Sequence, residues 1–235
     1  MDIFDCHLHI EKGLEDYDLE VASGNVIYNS IDSYKENYAK ANGYHKSLIL
    51  DYKYNFEFCL NEGQEKRIVA FKIHSRIQQI TELDYPTVSK AIASDTNNLP
   101  IIYDAFYFGK ELQFQPSLAG LIHLIESQPN RNFIVAHAGG YEILKYFFHL
   151  REYKNVGFDL SFSLQYLKDS SCESDLIKLI RYTDVSKLFF GSDFYFASPK
   201  IQFNHLVELC HKAGKSSNQI EEIATSSWLN FAIKG

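Results

Sequence analysis

Seven short runs of β-branched and aromatic residues recur along this chain, separated by stretches with helical periodicity, and that alternation limits the fold more than any other feature. The runs are Asp2 to His9, Lys46 to Lys53, Ile68 to His74, Leu99 to Ala105, Asn132 to His137, Asn155 to Ser161 and Lys187 to Asp193. Between them, Leu118, Leu121, Ile122 and Ile125 follow Pro116, and Leu176, Ile177, Leu179 and Ile180 follow Ser174, each set marking one apolar helix face. Nearly continuous apolar strands alternating with amphipathic helices indicate a parallel sheet covered on both faces. Several runs end at their C-terminal tips in potential ligands: His7 and His9, His74, Asp104, His137 and Asp193. A closed barrel gathers all its strand ends around one mouth, whereas an open sheet spreads them along an edge. The expectation is an α/β fold, a distorted TIM-like (β/α) barrel of seven or eight parallel strands. Asn25 to Tyr28 is a weak candidate for the eighth, and Asn55 to Arg67 reads as helical or irregular.

A barrel of this kind takes roughly 250 residues, so 235 residues with no Pro/Gly/Ser-rich linker fit one domain over 1–235. A composition 46% hydrophobic and 23% charged is that of an ordinary globular protein. The net charge is −7 and the Lys and Arg residues are scattered, so nucleic acid is not an expected partner. No apolar stretch reaches the roughly 20 residues of a membrane span, and the first residues lack a basic region followed by an apolar run. A cytoplasmic protein without membrane contacts is expected. Cys6, Cys59, Cys172 and Cys210 are far apart, form no CxxC pair, and are read as reduced.

In Ile3-Phe4-Asp5-Cys6-His7-Leu8-His9 the residues Asp5, His7 and His9 are two apart, so on a regular strand all three point the same way. Two imidazoles on one face can grip one ion, zinc, iron, nickel or similar. In Phe133-Ile134-Val135-Ala136-His137-Ala138-Gly139-Gly140 an apolar strand ends in a histidine and a glycine turn that lets backbone approach a ligand. In Leu188-Phe189-Phe190-Gly191-Ser192-Asp193 an aspartate closes an apolar strand, where a carboxylate is placed to bind a metal and take a proton.

As a set these segments resemble the amidohydrolase superfamily, in particular its amidohydrolase-related branch of hydrolases, lactonases and decarboxylases. The likeness runs nearly end to end. It rests on the HxH of Asp5-Cys6-His7-Leu8-His9, on Phe71-Lys72-Ile73-His74, on Leu99-Pro100-Ile101-Ile102, on His137-Ala138-Gly139-Gly140 and on Gly191-Ser192-Asp193. The resemblance implies that His7, His9 and Asp193 bind a divalent ion, zinc first with manganese or iron as alternates, and that His137 is a ligand or orients the attacking water. It implies a metal-dependent hydrolase of an amide, ester or lactone in which Asp193 moves the proton and His137 or His74 steadies the oxyanion. Decarboxylation at the same ion, or a silent barrel used for binding, are the rivals.

One departure stands out. Where the branch places a histidine at the end of the Leu-Pro strand, this chain reads Ile102-Tyr103-Asp104. Asp104 is thus either an oxygen ligand or a substrate contact. Lys72 occupies a strand where some superfamily members carry a carboxylated lysine bridging two ions, and the alternative is a lysine paired with Asp104 or a substrate carboxylate. Arg76 near the mouth suits a carboxylate. Tyr103 and the aromatic clusters Phe106-Tyr107-Phe108 and Phe194-Tyr195-Phe196 supply candidate pocket walls, Phe106 and Tyr195 among them, for a small carboxylate or sugar-derived substrate. Whether the chain forms a homo-oligomer is left open.

Overall fold

Strand-forming runs with both faces apolar become the staves of a barrel because each must be buried on two sides. The computed structural model, which describes residues 2–10, 17–20, 23–196 and 198–233, has eight parallel strands: β1 (Phe4–Leu8), β2 (Ser23–Tyr28), β3 (His45–Ile49), β4 (Ala70–Ile73), β5 (Ile101–Asp104), β6 (Phe133–Ala136), β7 (Val156–Asp159) and β8 (Leu188–Phe189). They pair in sequence order. The ring closes through backbone bonds from Cys6 N to Phe190 O (2.9 Å), Asp193 N to His7 O (2.7 Å) and His9 N to Phe194 O (2.9 Å). The weak candidate at Asn25 to Tyr28 is therefore a full strand, β2, and the segment read as helical or irregular contains the helix Phe56–Gln64.

Strand alternation divides the apolar residues in two. Ala70 and Ile102 stand two residues before Lys72 and Asp104, and with Phe4, Cys6, Ile134 and Phe189 they form a small cluster inside the ring. Trp228, on the helix Ser227–Ala232, joins it and stacks on Phe4 at 5.1 Å. The opposite face, with Leu48, Phe71, Tyr103, Val135 and Phe158, packs against the surrounding helices in the larger core. Among the described residues no helix is long and apolar enough to cross a membrane.

The expectation that Asp5, His7 and His9 share a face is corrected by a register shift of β1 against β2 between Asp5 and Leu8. A bulge of this kind breaks the period of two and re-aims side chains. Phe4 and Cys6 point to the inner cluster. Asp5 is fully buried away from the mouth, where it accepts bonds from the backbone N–H groups of His7 (3.1 Å) and Ser192 (2.9 Å) and from the Tyr17 hydroxyl (2.6 Å).

Candidate metal centre

Histidine chemistry here is decided by which ring nitrogen carries the proton, and the acceptor on the far side of each ring settles that. His7 Nδ1 lies 2.6 Å from Asp159 Oδ2, and His9 Nδ1 lies 2.7 Å from the carbonyl of Ile27. Both partners only accept, so both rings hold their proton on Nδ1 and turn a bare Nε2 toward the mouth. There they meet one oxygen: Asp193 Oδ1 is 3.4 Å from His7 Nε2 and 3.2 Å from His9 Nε2. His7 Nε2 is buried with no hydrogen-bond partner. Lone pairs facing a carboxylate repel unless a cation stands among them, and two imidazoles with one carboxylate make a donor set suited to zinc, iron or manganese. The three residues thus fit a divalent ion. Among the described residues they are the one group of three such side chains whose donor atoms lie within 4.8 Å of one another. Burial presses the His7 ring down to about 4, against the pull of Asp159, so it is neutral at physiological pH, as a ligand must be. Burial alone would raise Asp193, but the His9, His7 and His137 rings around it hold it well below the usual carboxylate range whenever they carry a second proton, so its carboxylate stays ionised.

Beside this triad lies a second group centred on Asp104. Its Oδ2 is 3.4 Å from each of Lys72 Nζ, His74 Nε2 and His137 Nε2, and Arg76 reaches within 3.8 Å of Oδ1. His74 caps a short turn by accepting the backbone N–H of Ile77 on Nδ1, so its neutral ring carries the proton on Nε2, facing Asp104. Burial lowers the His74 ring to about 4. His137 is the reverse: its Nδ1 meets Ser161 O at 3.2 Å, which turns Nε2 toward Asp104 Oδ2 on the mouth side. Burial would lower His137, but the hydrogen bond and charge of Asp104 raise it above the ordinary value. Asp104, which burial would raise, is held well below the usual range by His74, Lys72 and His137.

Both groups open on one cavity of about 350 Å³, whose walls include Phe106, Phe108, Phe162 and Phe196. Backbone strain collects around it: His137, Ala138, Phe162 and Asp193 all have φ between 51° and 59°, and conformations of that kind persist where surrounding structure enforces them. Gly140, at φ +61°, lies so close to Phe106 that a Cβ would come within 3.1 Å of that ring.

Of the residues singled out from the sequence, His7, His9 and Asp193 are brought together with their donor atoms within 4.8 Å of one another. His137 and Asp104 fall outside that 4.8 Å group and sit next to it, with the His7 and His137 ring centroids 4.9 Å apart. Lys72, His74, Arg76 and Phe106 line the cavity. Tyr103 does not. Being one residue from Asp104 on β5, it faces outward and bonds the hydroxyl of Tyr85 at 2.6 Å. Tyr195 packs on Phe194 and Phe196, and Phe196 is the wall residue of that cluster. Sequence reasoning missed Asp159, Ser161, Phe162 and Asn29. For the first two a signal existed, since Gly157-Phe158-Asp159-Leu160-Ser161 sets two polar residues two apart at the tip of an apolar strand.

No protein-family model and no curated protein matches this chain. Solved structures do resemble it. A probable 2-pyrone-4,6-dicarboxylic acid hydrolase from Acinetobacter baumannii superposes with a TM-score of 0.64 at 13% identity, over 95% of this chain and 99% of its own. A 2,6-dihydroxybenzoate decarboxylase from Rhizobium gives 0.66 at 11% identity over 99% and 98%. A dihydroxybenzoic acid decarboxylase from Polaromonas, solved with bound manganese, gives 0.55 at 12% identity over 85% and 72%. At such identities the likeness establishes the barrel, and any chemistry must be argued from the site.

Proposed function

We propose that this chain is a divalent-metal-dependent enzyme of the amidohydrolase superfamily that hydrolyses an amide, ester or lactone bond in a small carboxylate-bearing substrate. The observation that carries the reading is the pair of bare imidazole nitrogens, His7 Nε2 and His9 Nε2, converging on Asp193 Oδ1. Those three residues would hold the ion, zinc first and manganese or iron as alternates, which when bound supplies Lewis acidity to the reacting carbonyl and its water. His137 Nε2 takes and returns the proton, because Asp104 beside it raises its proton affinity above the ordinary value. Lys72 is read as an ammonium paired with Asp104, not as a bridging carbamate, and Asp104 as the anchor of that pair, not as a metal ligand. Arg76 and Lys72 give the cavity its cationic side for a substrate carboxylate, and the phenylalanine walls exclude water.

A second reading, non-oxidative decarboxylation, is favoured by the same pairing of a cationic side with four phenylalanine rings, which suits a planar aromatic acid. The decarboxylases from Rhizobium and Polaromonas share the barrel. The test is to load purified protein with zinc or manganese and follow a panel of lactones, esters, amides and aromatic acids by 13C NMR. New carboxylate without carbonate supports hydrolysis, and labelled carbonate from an aromatic acid supports decarboxylation. A protein that retains no divalent ion would sink both.

A further inference from the structure

β7 contributes neither a cavity-lining carboxylate nor a donor of the candidate metal cluster, yet a buried hydrogen-bond network gathers at its tip. Asp159 Oδ2 takes the Nδ1 proton of His7 at 2.6 Å and the hydroxyl proton of Ser161 at 2.8 Å, while its Oδ1 accepts the backbone N–H of Ser161 at 2.8 Å. The one proton of the Ser161 hydroxyl is thereby committed to Asp159, so its oxygen can only accept from the ring nitrogens it touches, His7 Nδ1 at 3.1 Å and His137 Nδ1 at 3.2 Å. A separate observation agrees: a Cβ on Gly191 would come within 2.8 Å of both Asp159 Oδ1 and His7 Cβ and within 2.9 Å of Ser161 Cβ. The close approach of the segment that follows β8 explains the glycine of Gly191-Ser192-Asp193 and packs it directly against Asp159, Ser161 and His7.

We infer that Asp159 and Ser161 are positioning residues, a buried two-residue strap that fixes the Nδ1 protons of both His7 and His137 and so turns His7 Nε2 toward Asp193 Oδ1 and His137 Nε2 toward Asp104 Oδ2. The strap joins the ligand His7 to the proton-carrying His137, so the two rings cannot choose their orientation or tautomer independently. The inference rests on the proposed metal reading for its consequence, and on the hydrogen bonds alone for its geometry. An Asp159→Asn change replaces one acceptor oxygen with an NH2 donor. It then favours the other His7 tautomer, with the proton on Nε2 where the ion would bind.

Two measurements on the full chain separate the claims. Long-range 1H–15N spectra of the metal-free protein report which nitrogen of each histidine is protonated. The expected result is Nδ1–H for His7 and His137 in the wild type and Nε2–H for His7 in Asp159→Asn. Competition with a chromophoric chelator for zinc reports affinity, expected to fall about 10–100-fold in Asp159→Asn and roughly three- to tenfold in Ser161→Ala, which removes the hydroxyl that touches Asp159, His7 and His137 and keeps the carboxylate. Should Asp159→Asn fail to fold, Ser161→Ala carries the test. Unchanged proton positions and unchanged zinc affinity in the folded variants would overturn the strap. If the wild type held no zinc while the spectra showed the expected protons, the strap would stand and the metal reading would fall.

Discussion

The two ends of the barrel handle buried charge differently. At the bottom, before β5 and β6, Arg131 is 2% exposed and donates to Asp95 Oδ2 at 2.8 Å and to the carbonyls of Ile92 at 3.0 Å and Asp95 at 3.1 Å. Asp95 in turn accepts the backbone N–H of Leu99 at 2.7 Å. At the mouth, Lys72, His74 and His137 stand off Asp104 at 3.4 Å, and His7 and His9 stand off Asp193 at 3.4 and 3.2 Å. A buried charge is tolerated when its partners close on it, so the tight end fastens strands together. At the loose end Asp104 and Asp193 are ringed by nitrogen atoms that stand off at 3.2 to 3.4 Å, which suits a face that must also accept an ion and a substrate.

Cutting the tight end should therefore have the largest effect and leave the mouth alone. Asp95→Ala strands a buried guanidinium, and breaking such a pair typically costs about 3–5 kcal/mol, a large share of ordinary domain stability. Denaturant unfolding should show that loss, while zinc bound per folded molecule stays at the wild-type value. A loss of metal along with stability would mean that the two ends are not separable. The His7→Ala/His9→Ala variant should invert the pattern, with metal retention down on the order of 10²-fold or more and stability of the metal-free protein changed less. Elemental mass spectrometry of the purified variant beside the wild type makes that comparison.

The same contrast explains what the sequence could and could not convey. The staves were legible because burial on both faces forces apolar runs, and the cluster of His7, His9 and Asp193 was legible because these residues interrupt or end those runs with donor types that suit a metal. β2 was nearly invisible, since Ser23, Gly24 and Asn25 open it with residues that ordinarily disfavour strands, and only Val26, Ile27 and Tyr28 carry the pattern. The facing of Asp5 was misjudged because a register shift leaves no mark in the period of two. Tyr103 was expected in the pocket wall, but it neighbours Asp104 on one strand, and adjacent strand residues face opposite ways. The convergence of Lys72, His74 and His137 on Asp104 joins three strand ends far apart in sequence, and only the closed ring brings them together.

Acidification sharpens the comparison at an intermediate scale. His74, pressed by burial to about 4 from an ordinary 6.5, is neutral in the folded protein and charged in the unfolded chain between those values. Its folded value lies below its unfolded one, so its contribution is present above pH 6.5 and is lost as pH falls through about 4. His7 acts in the same direction over the same window. Asp5, which burial pushes up to about 6 from 3.8, works oppositely: its contribution is present below 3.8 and lost as pH rises through about 6. Between pH 6.5 and 4, where the raised His137 no longer changes its contribution, two histidines stand against one aspartate and the urea midpoint should fall on acidification. His74→Asn keeps an acceptor for the Ile77 N–H and should reduce that fall by roughly 2 kcal/mol. An equally steep fall in the variant would show that His74 is not held neutral by burial.

The smallest change is expected from Arg76, and it tests whether the loose end is arranged for a ligand or merely weakly packed. Its guanidinium is 3.8 Å from Asp104 Oδ1 and lies over the Phe108 ring at 5.7 Å, with the side chain 25% exposed. A partly solvated ion pair and ring contact of this kind contribute under about 1 kcal/mol, so Arg76→Ala should shift the unfolding midpoint very little. If the cationic side of the cavity serves a carboxylate, the same variant should weaken binding of a benzoate probe by about tenfold, the loss of one charge-assisted contact worth roughly 1.4 kcal/mol. Isothermal titration of the metal-loaded protein with benzoate would decide it. Equal affinity in both proteins would move the carboxylate away from Arg76 and leave Lys72, sealed against Asp104, as the remaining cation of the cavity wall able to receive it.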